Sequence, residues 1–61
     1  MKTKLLYEKI IGRTTCESAL AFARGWMSHK SRESAAQQVP IYLGAKSWRK
    51  RALIKYVRNY A

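Results

Sequence analysis

The chain has 61 residues, enough for one small domain spanning residues 1–61, and its 13 Lys and Arg against 3 acidic residues give a net charge of +10. One cysteine excludes an internal disulfide. A field of this sign attracts polyanions: nucleic acid, an anionic membrane or an acidic protein surface. A chain this short buries only about 60% of its unfolded surface, so a homodimer with a shared core is a live alternative.

The first predicted helix covers residues 4–11. Leu6 pairs with Ile10, and Tyr7 with Ile11, at the i,i+4 spacing that places side chains on one helix face. Gly12 follows at the position where a helix-ending glycine belongs. The segment is too brief to fix its period, so a short strand remains an alternative.

The second predicted helix begins at Thr14, which stands three residues before Glu17 as in a capping box. Its apolar residues gather into one arc of about 160° on a 3.6-residue wheel. These residues are Cys16, Ala19, Leu20, Phe22, Ala23, Trp26 and Met27. We therefore expect this helix to supply the core.

A third, short helix is expected from Ser31, a good N-cap residue, to Gln38. Val39 precedes Pro40, and that position disfavours helical backbone. Residues 39–44 are therefore predicted to form an extended connector with a turn near Gly44.

The last predicted helix covers residues 45–60 and has apolar and basic sides. The apolar arc comprises Ala45, Trp48, Ala52, Leu53, Tyr56, Val57 and Tyr60. On the opposite side, Arg51, Lys55 and Arg58 fall within about 60° of one another. Lys46, Arg49 and Lys50 lie at the edges of the apolar arc or inside it.

This basic helix is the predicted nucleic-acid-binding site. Arg51, Lys55 and Arg58 span about 10 Å of one face, which suits contacts to consecutive phosphates. Arg49 and Lys50 at the flanks are expected to reach a second strand or base edges, and Lys46 to assist at the helix start. No acid on this helix is available to pair with these cations.

Three alternatives stay open for the partner and the motif. Residues 31–57 place a small helix, a turn and a basic helix in helix-turn-helix order, and residues 7–22 offer a weaker version. The runner-up function is a protein-binding inhibitor or adaptor that docks on an acidic surface, with Trp48 and Tyr56 as apolar anchors. Binding to an anionic membrane surface is a third, less favoured reading.

No pattern in the sequence predicts catalysis, a cofactor or a metal. Paired carboxylates, a glycine-rich phosphate loop and a G-x-S-x-G element are missing. One Cys, one His and scattered Glu do not complete a zinc site. No signal peptide is visible, and the longest apolar run is far shorter than the ~20 residues of a membrane span. We therefore expect a cytoplasmic protein that is not an enzyme.

Short pieces of the chain resemble ribosome modulation factor, a family of very short basic bacterial proteins. The pieces are Arg24–Trp26, Pro40 and Tyr42–Arg49. Their spacing differs from the one expected of that family, so no site residue is assigned from the resemblance. It keeps ribosomal RNA among the expected polyanions.

Taken together, these features predict an all-α domain of three or four helices with a basic amphipathic C-terminal helix. The predicted function is non-enzymatic nucleic-acid binding, with DNA ahead of RNA. A regulator or accessory factor of a bacterium or a phage fits this size and charge.

Overall fold

The protein folds into four α-helices, and the computed structural model describes residues 2–61. The helices are α1 (Lys2–Ile11), α2 (Arg13–Trp26), α3 (Arg32–Tyr42) and α4 (Trp48–Tyr60). Residues 2–61 contain no strand. The all-α prediction is therefore confirmed, and the strand alternative for residues 4–11 is wrong.

One hydrophobic core joins all four helices. Its buried residues are Ile11 of α1; Cys16, Ala19, Leu20 and Ala23 of α2; Ala35, Ala36 and Val39 of α3; and Leu53, Tyr56 and Val57 of α4. The alanines let the helix backbones approach closely, and α3 and α4 share the most extensive contact. The predicted core face of α2 is confirmed at its four buried positions, while Phe22, Trp26 and Met27 are only partly buried against it.

A single residue, Gly12, separates α1 from α2. Its φ of 115° lies in a region that side chains with a Cβ rarely adopt, so glycine is needed for this sharp reversal. The helix restarts at once, and Arg13 is its first residue. The predicted cap at Thr14 is therefore wrong: Gly12 is the N-cap, and no side chain makes a capping hydrogen bond. Glu17 instead lies 3.4 Å from the guanidinium of Arg13.

Helix α3 begins as predicted and ends later than predicted. The Ser31 hydroxyl accepts a hydrogen bond from the Ser34 amide at 3.1 Å, which confirms the cap. The helix then continues through Pro40 to Tyr42, so the predicted extended connector over residues 39–44 is wrong. Val39 and Pro40 are both buried, and the burial of their apolar surface outweighs the backbone restriction that proline imposes.

The C-terminal end of α3 is closed by a Schellman motif. The Ala45 amide donates to the Pro40 carbonyl at 2.8 Å, and the Gly44 amide donates to the Ile41 carbonyl at 3.2 Å. Gly44 has the positive φ, 73°, that this motif requires. The predicted turn near Gly44 is thus present, and residues 43–47 form the link to α4.

Helix α4 starts three residues later than predicted, at Trp48. Ser47 precedes it with φ 55°, a conformation incompatible with a continuing helix, and makes no side-chain cap. Leu53, Tyr56 and Val57 are buried as predicted. Trp48 is 52% exposed, so this member of the predicted apolar arc is not part of the core. It lies at the edge of the arc, next to the exposed side of the helix.

Residues 2–61 include no helix that combines the length and the apolar character needed to cross a membrane.

Candidate nucleic-acid interface

The side of α4 that faces away from the core carries one aromatic and three basic residues. Trp48, Arg51, Lys55 and Arg58 fall within about 80° of the helix circumference, at 100° per residue. All four are exposed. We call these four residues the α4 outer face. The buried residues Leu53 and Val57 lie on the opposite side and fix the rotation of the helix.

The other three predicted site residues cluster around the start of α4. Lys46 lies in the link from α3, and Arg49 and Lys50 lie in the first helical turn; each is exposed. The guanidinium carbon of Arg49 is 5.5 Å from the centroid of the Trp48 ring, within cation–π range. Lys46, Arg49 and Lys50 are thus exposed, and they are near neighbours of Trp48 and Arg51 in the sequence.

Arg58 differs from the other predicted cations because it has an acidic partner. Its Nε donates to Oε1 of Glu33 at 2.8 Å, and its Nη2 donates to Oε2 at 2.7 Å. The Arg58 hydrogen bond, aided by one from Gln37, lowers the pKa of the Glu33 carboxyl. Helix α3 supplies this acid. Arg58 is therefore paired although α4 itself contains no acidic residue.

Two further arginines bind the C-terminal end of α4. Arg32 Nη1 donates to the Ala61 carbonyl oxygen at 2.6 Å, and Arg24 Nη2 donates to that of Tyr60 at 3.4 Å. Cations at this end of a helix satisfy its last carbonyls and complement its dipole. Sequence reasoning missed both contacts. Arg32 and Arg24 lie 29 and 36 residues before these partners, so no local signal would have indicated the contacts.

The remaining cations of α4 are not neutralised by acids. The sequence has three acidic residues, Glu8, Glu17 and Glu33. Glu17 lies against Arg13, Glu33 lies against Arg58, and Glu8 is half-buried on α1. Within residues 2–61 no ion pair involves Arg51 or Lys55. The first two turns of α4 and the link before it therefore carry five cations without an ion-pair partner within residues 2–61: Lys46, Arg49, Lys50, Arg51 and Lys55.

An open cleft of about 420 Å³ lies beside the first turn of α4 and is lined by Ser47, Trp48 and Arg51. Trp48 therefore belongs to the surface that carries the basic residues and not to the core. The sequence did hold one signal for this. Trp48 and Arg51 are three residues apart, and Trp48 and Lys55 seven, which are the spacings of one helix face.

The tyrosines separate into buried and accessible rings. Tyr56 is fully buried, and this burial raises the pKa of its hydroxyl to about 12. Tyr60 is half-buried and packs on Tyr56 and Tyr7. Tyr42 is 62% exposed, yet its ring packs edge-on against Phe22 with centroids 4.6 Å apart. Tyr56 is thus unavailable to any partner.

Residues 2–61 hold no group of three or more His, Cys, Asp or Glu side chains placed to bind a metal ion. No family model, curated protein or solved structure matches this chain.

Proposed function

We propose that this protein binds nucleic acid, without catalysing a reaction on it, through the α4 outer face and the cations at the start of α4. The observation that carries the proposal is the uncompensated charge of Arg51 and Lys55 on an exposed face, next to Lys46, Arg49 and Lys50. These side chains have the charge and the access that phosphate contacts need. Phosphate binding by such cations releases counterions and makes affinity fall with salt.

DNA stands ahead of RNA among the proposed targets. Helices α3 and α4 share the largest contact in the fold, and α4 turns its basic side outward, as a recognition helix does. The link between them has five residues (43–47), somewhat longer than the three or four of a helix-turn-helix. A cytoplasmic regulator or accessory factor of a bacterium or phage remains the proposed setting, because binding to nucleic acid requires access to it.

Fluorescence anisotropy across a salt series tests this proposal. The labelled probes are a duplex DNA and a structured RNA, and the variant is Arg51→Gln/Lys55→Gln. Loss of two phosphate contacts on duplex DNA should lower the slope of log K against log salt by about 1.8 units. Glutamine keeps good helix propensity, so α4 should stay folded.

The matched control is Lys9→Gln/Lys30→Gln, which also lowers the net charge from +10 to +8 and likewise removes cations that form no ion pair within residues 2–61. Both residues are exposed and lie outside α4, Lys9 on α1 and Lys30 between α2 and α3. An unchanged slope in this control, with a reduced slope in the α4 variant, supports the proposed face. Equal losses in the two variants would show that only net charge matters, and weak, salt-insensitive binding in all proteins would end the proposal.

Docking on an acidic protein surface is the second candidate, and the exposure of Trp48 favours it. An exposed indole with Arg49 over its ring and Arg51 beside it has the composition of an interface anchor. Tyr56, the other expected anchor, is fully buried and is removed from this hypothesis. Failure of the oligonucleotides to bind, together with capture of an acidic protein that Trp48→Ala abolishes, would favour this function.

A homodimer remains a proposal for the outward side of α1. Leu5, Leu6 and Ile10 are 56–59% exposed there and form a small apolar patch. A depression of about 490 Å³ on this side is lined by both signs of charge, Glu8 among cations. A second copy offers the complementary charges and the same apolar residues. Three apolar side chains are few beside the roughly 20–30 residues a side of a standard protein interface, so association should be weak.

Sedimentation velocity over a range of protein concentrations tests the dimer. We expect the sedimentation coefficient of the wild-type protein to rise with concentration, and that of Leu6→Ser/Ile10→Ser to stay constant. Identical behaviour of the two proteins would contradict dimerisation through α1.

A further inference from the structure

We propose that Trp48 stacks on an unpaired base, so that the α4 outer face selects single-stranded nucleic acid, or a single-stranded segment within a larger one, over a continuous duplex. This inference rests on the proposed function and names its substrate class. Arg51 and Lys55, which follow Trp48 along the same helix face, hold successive phosphates of the strand that carries this base.

The exposure of Trp48 is the first observation behind this inference. A tryptophan buries a large apolar surface when it packs in a core, and the other tryptophan, Trp26, stacks on Phe22 with ring centroids 5.8 Å apart. Trp48 makes no such pair with any aromatic ring in residues 2–61. Its indole is available to a flat ligand.

The surroundings of the indole are the second observation. Arg49 lies over the ring at 5.5 Å from its centroid, and an arginine on one face of an aromatic ring leaves the other face for stacking. The cleft of about 420 Å³ between Ser47, Trp48 and Arg51 opens beside the ring. A base that enters this cleft would bring its own phosphates alongside Arg51.

The aromatic ring of Trp48 and the positive charge beside it together indicate the class of ligand. Stacking on aromatic side chains combined with a basic track for the backbone is the recognition mode of single-stranded nucleic acids. Bases inside a duplex already stack on their neighbours, and extruding one costs free energy. A single strand offers the base without this cost, so it should bind more tightly than a duplex of equal phosphate content.

Two oligonucleotides with the same number of phosphates separate stacking from charge. One is an oligothymidylate, and the other is an abasic strand of equal length; an oligouridylate of that length tests whether RNA serves equally. Wild-type protein should bind the thymidylate about tenfold more tightly than the abasic strand. Trp48→Leu should bind both with the abasic affinity, while its salt slope stays at the wild-type value.

The matched control is Tyr42→Leu, which removes another exposed aromatic ring away from the α4 outer face. It should retain the preference for bases, and thermal melting of each variant checks that the fold survives. Equal affinity of wild-type protein for the two strands would overturn stacking. In that case binding can still depend on salt, and Arg51→Gln/Lys55→Gln can still reduce the salt slope. This result would support the proposed function and reject only the stacking of Trp48. No measurable binding to any probe would overturn both.

Discussion

Arg58 and Glu33 form a two-point ion pair that fixes α4 against α3. Its donor–acceptor distances are 2.8 Å and 2.7 Å, and the partners lie 25 residues apart in the chain. Both side chains are about half exposed, so the pair is screened by solvent and its contribution to stability is modest. The pair matters more for binding, because Arg58, one of the three cations of the α4 outer face, already has an acidic partner.

The three outer-face cations should therefore contribute unequally to nucleic-acid binding. We expect Arg51→Gln to reduce the salt slope on duplex DNA by about 0.9 units, as one lost phosphate contact does. Arg58→Gln should reduce it by less than half as much, because Glu33 already neutralises that guanidinium. Salt titrations of the two single variants by anisotropy measure the difference.

Glu33→Gln provides the control for this prediction. Removing the carboxylate frees Arg58, so the slope should rise above the wild-type value, and the loss of the ion pair should lower the melting temperature slightly. Equal slopes for Arg51→Gln and Arg58→Gln would show that Arg58 leaves Glu33 when nucleic acid binds.

The buried hydroxyl of Tyr56 predicts a loss of stability in alkali. Its pKa is about 12 in the folded protein against an ordinary value of 10.0, so the folded state holds the proton more tightly than the unfolded state. The stabilisation is complete below pH 10 and is lost as the pH rises to 12, by about 3 kcal/mol. Urea unfolding across pH 9–12 measures it, and in Tyr56→Phe this part of the pH dependence should be absent. A parallel decline in both proteins would contradict the assignment.

Two leucines of the same chemistry test where the core lies. Leu53 is fully buried between the helices, so Leu53→Ala should lower the free energy of unfolding by about 2–5 kcal/mol. A chain of this length has little stability to lose, so much of the variant should be unfolded. Leu6 is 56% exposed, and Leu6→Ala should change stability by no more than about 0.5 kcal/mol. Chemical denaturation compares them, and equal losses would contradict the core described above.

Local patterns were enough to predict the helices and much of the core. The i,i+4 pattern of α1, the apolar arc of α2 and the Ser31 cap depend on neighbours within two turns. The structure confirms that residues 4–11 are helical, that four positions of the α2 arc are buried and that Ser31 caps α3. The predicted Thr14 cap was wrong because a single residue, Gly12, reverses the direction of the chain. Helix α2 therefore begins at Arg13, before Thr14. Pro40 lies inside a helix because packing of its ring against the core outweighs a local backbone preference.

Long-range contacts explain most of what the sequence did not predict at the candidate site. The spacing of Arg51, Lys55 and Arg58 correctly gave three cations on one exposed face. It did not give the partner of Arg58, since Glu33 comes from another helix. Trp48 was misplaced because it lies at the edge of the apolar arc, where a helical wheel does not show whether a side chain packs on the core or stays exposed.

An NMR titration of ¹⁵N-labelled protein with oligothymidylate and with duplex DNA tests the central claim most directly. We expect chemical-shift changes in the backbone amides of residues 46–55 and in the indole N–H of Trp48. The indole N–H resonance of Trp26 serves as the internal control, and its chemical shift should not change. Changes centred on residues 5–10 of α1, or none with either ligand at low salt, would contradict nucleic-acid binding through α4.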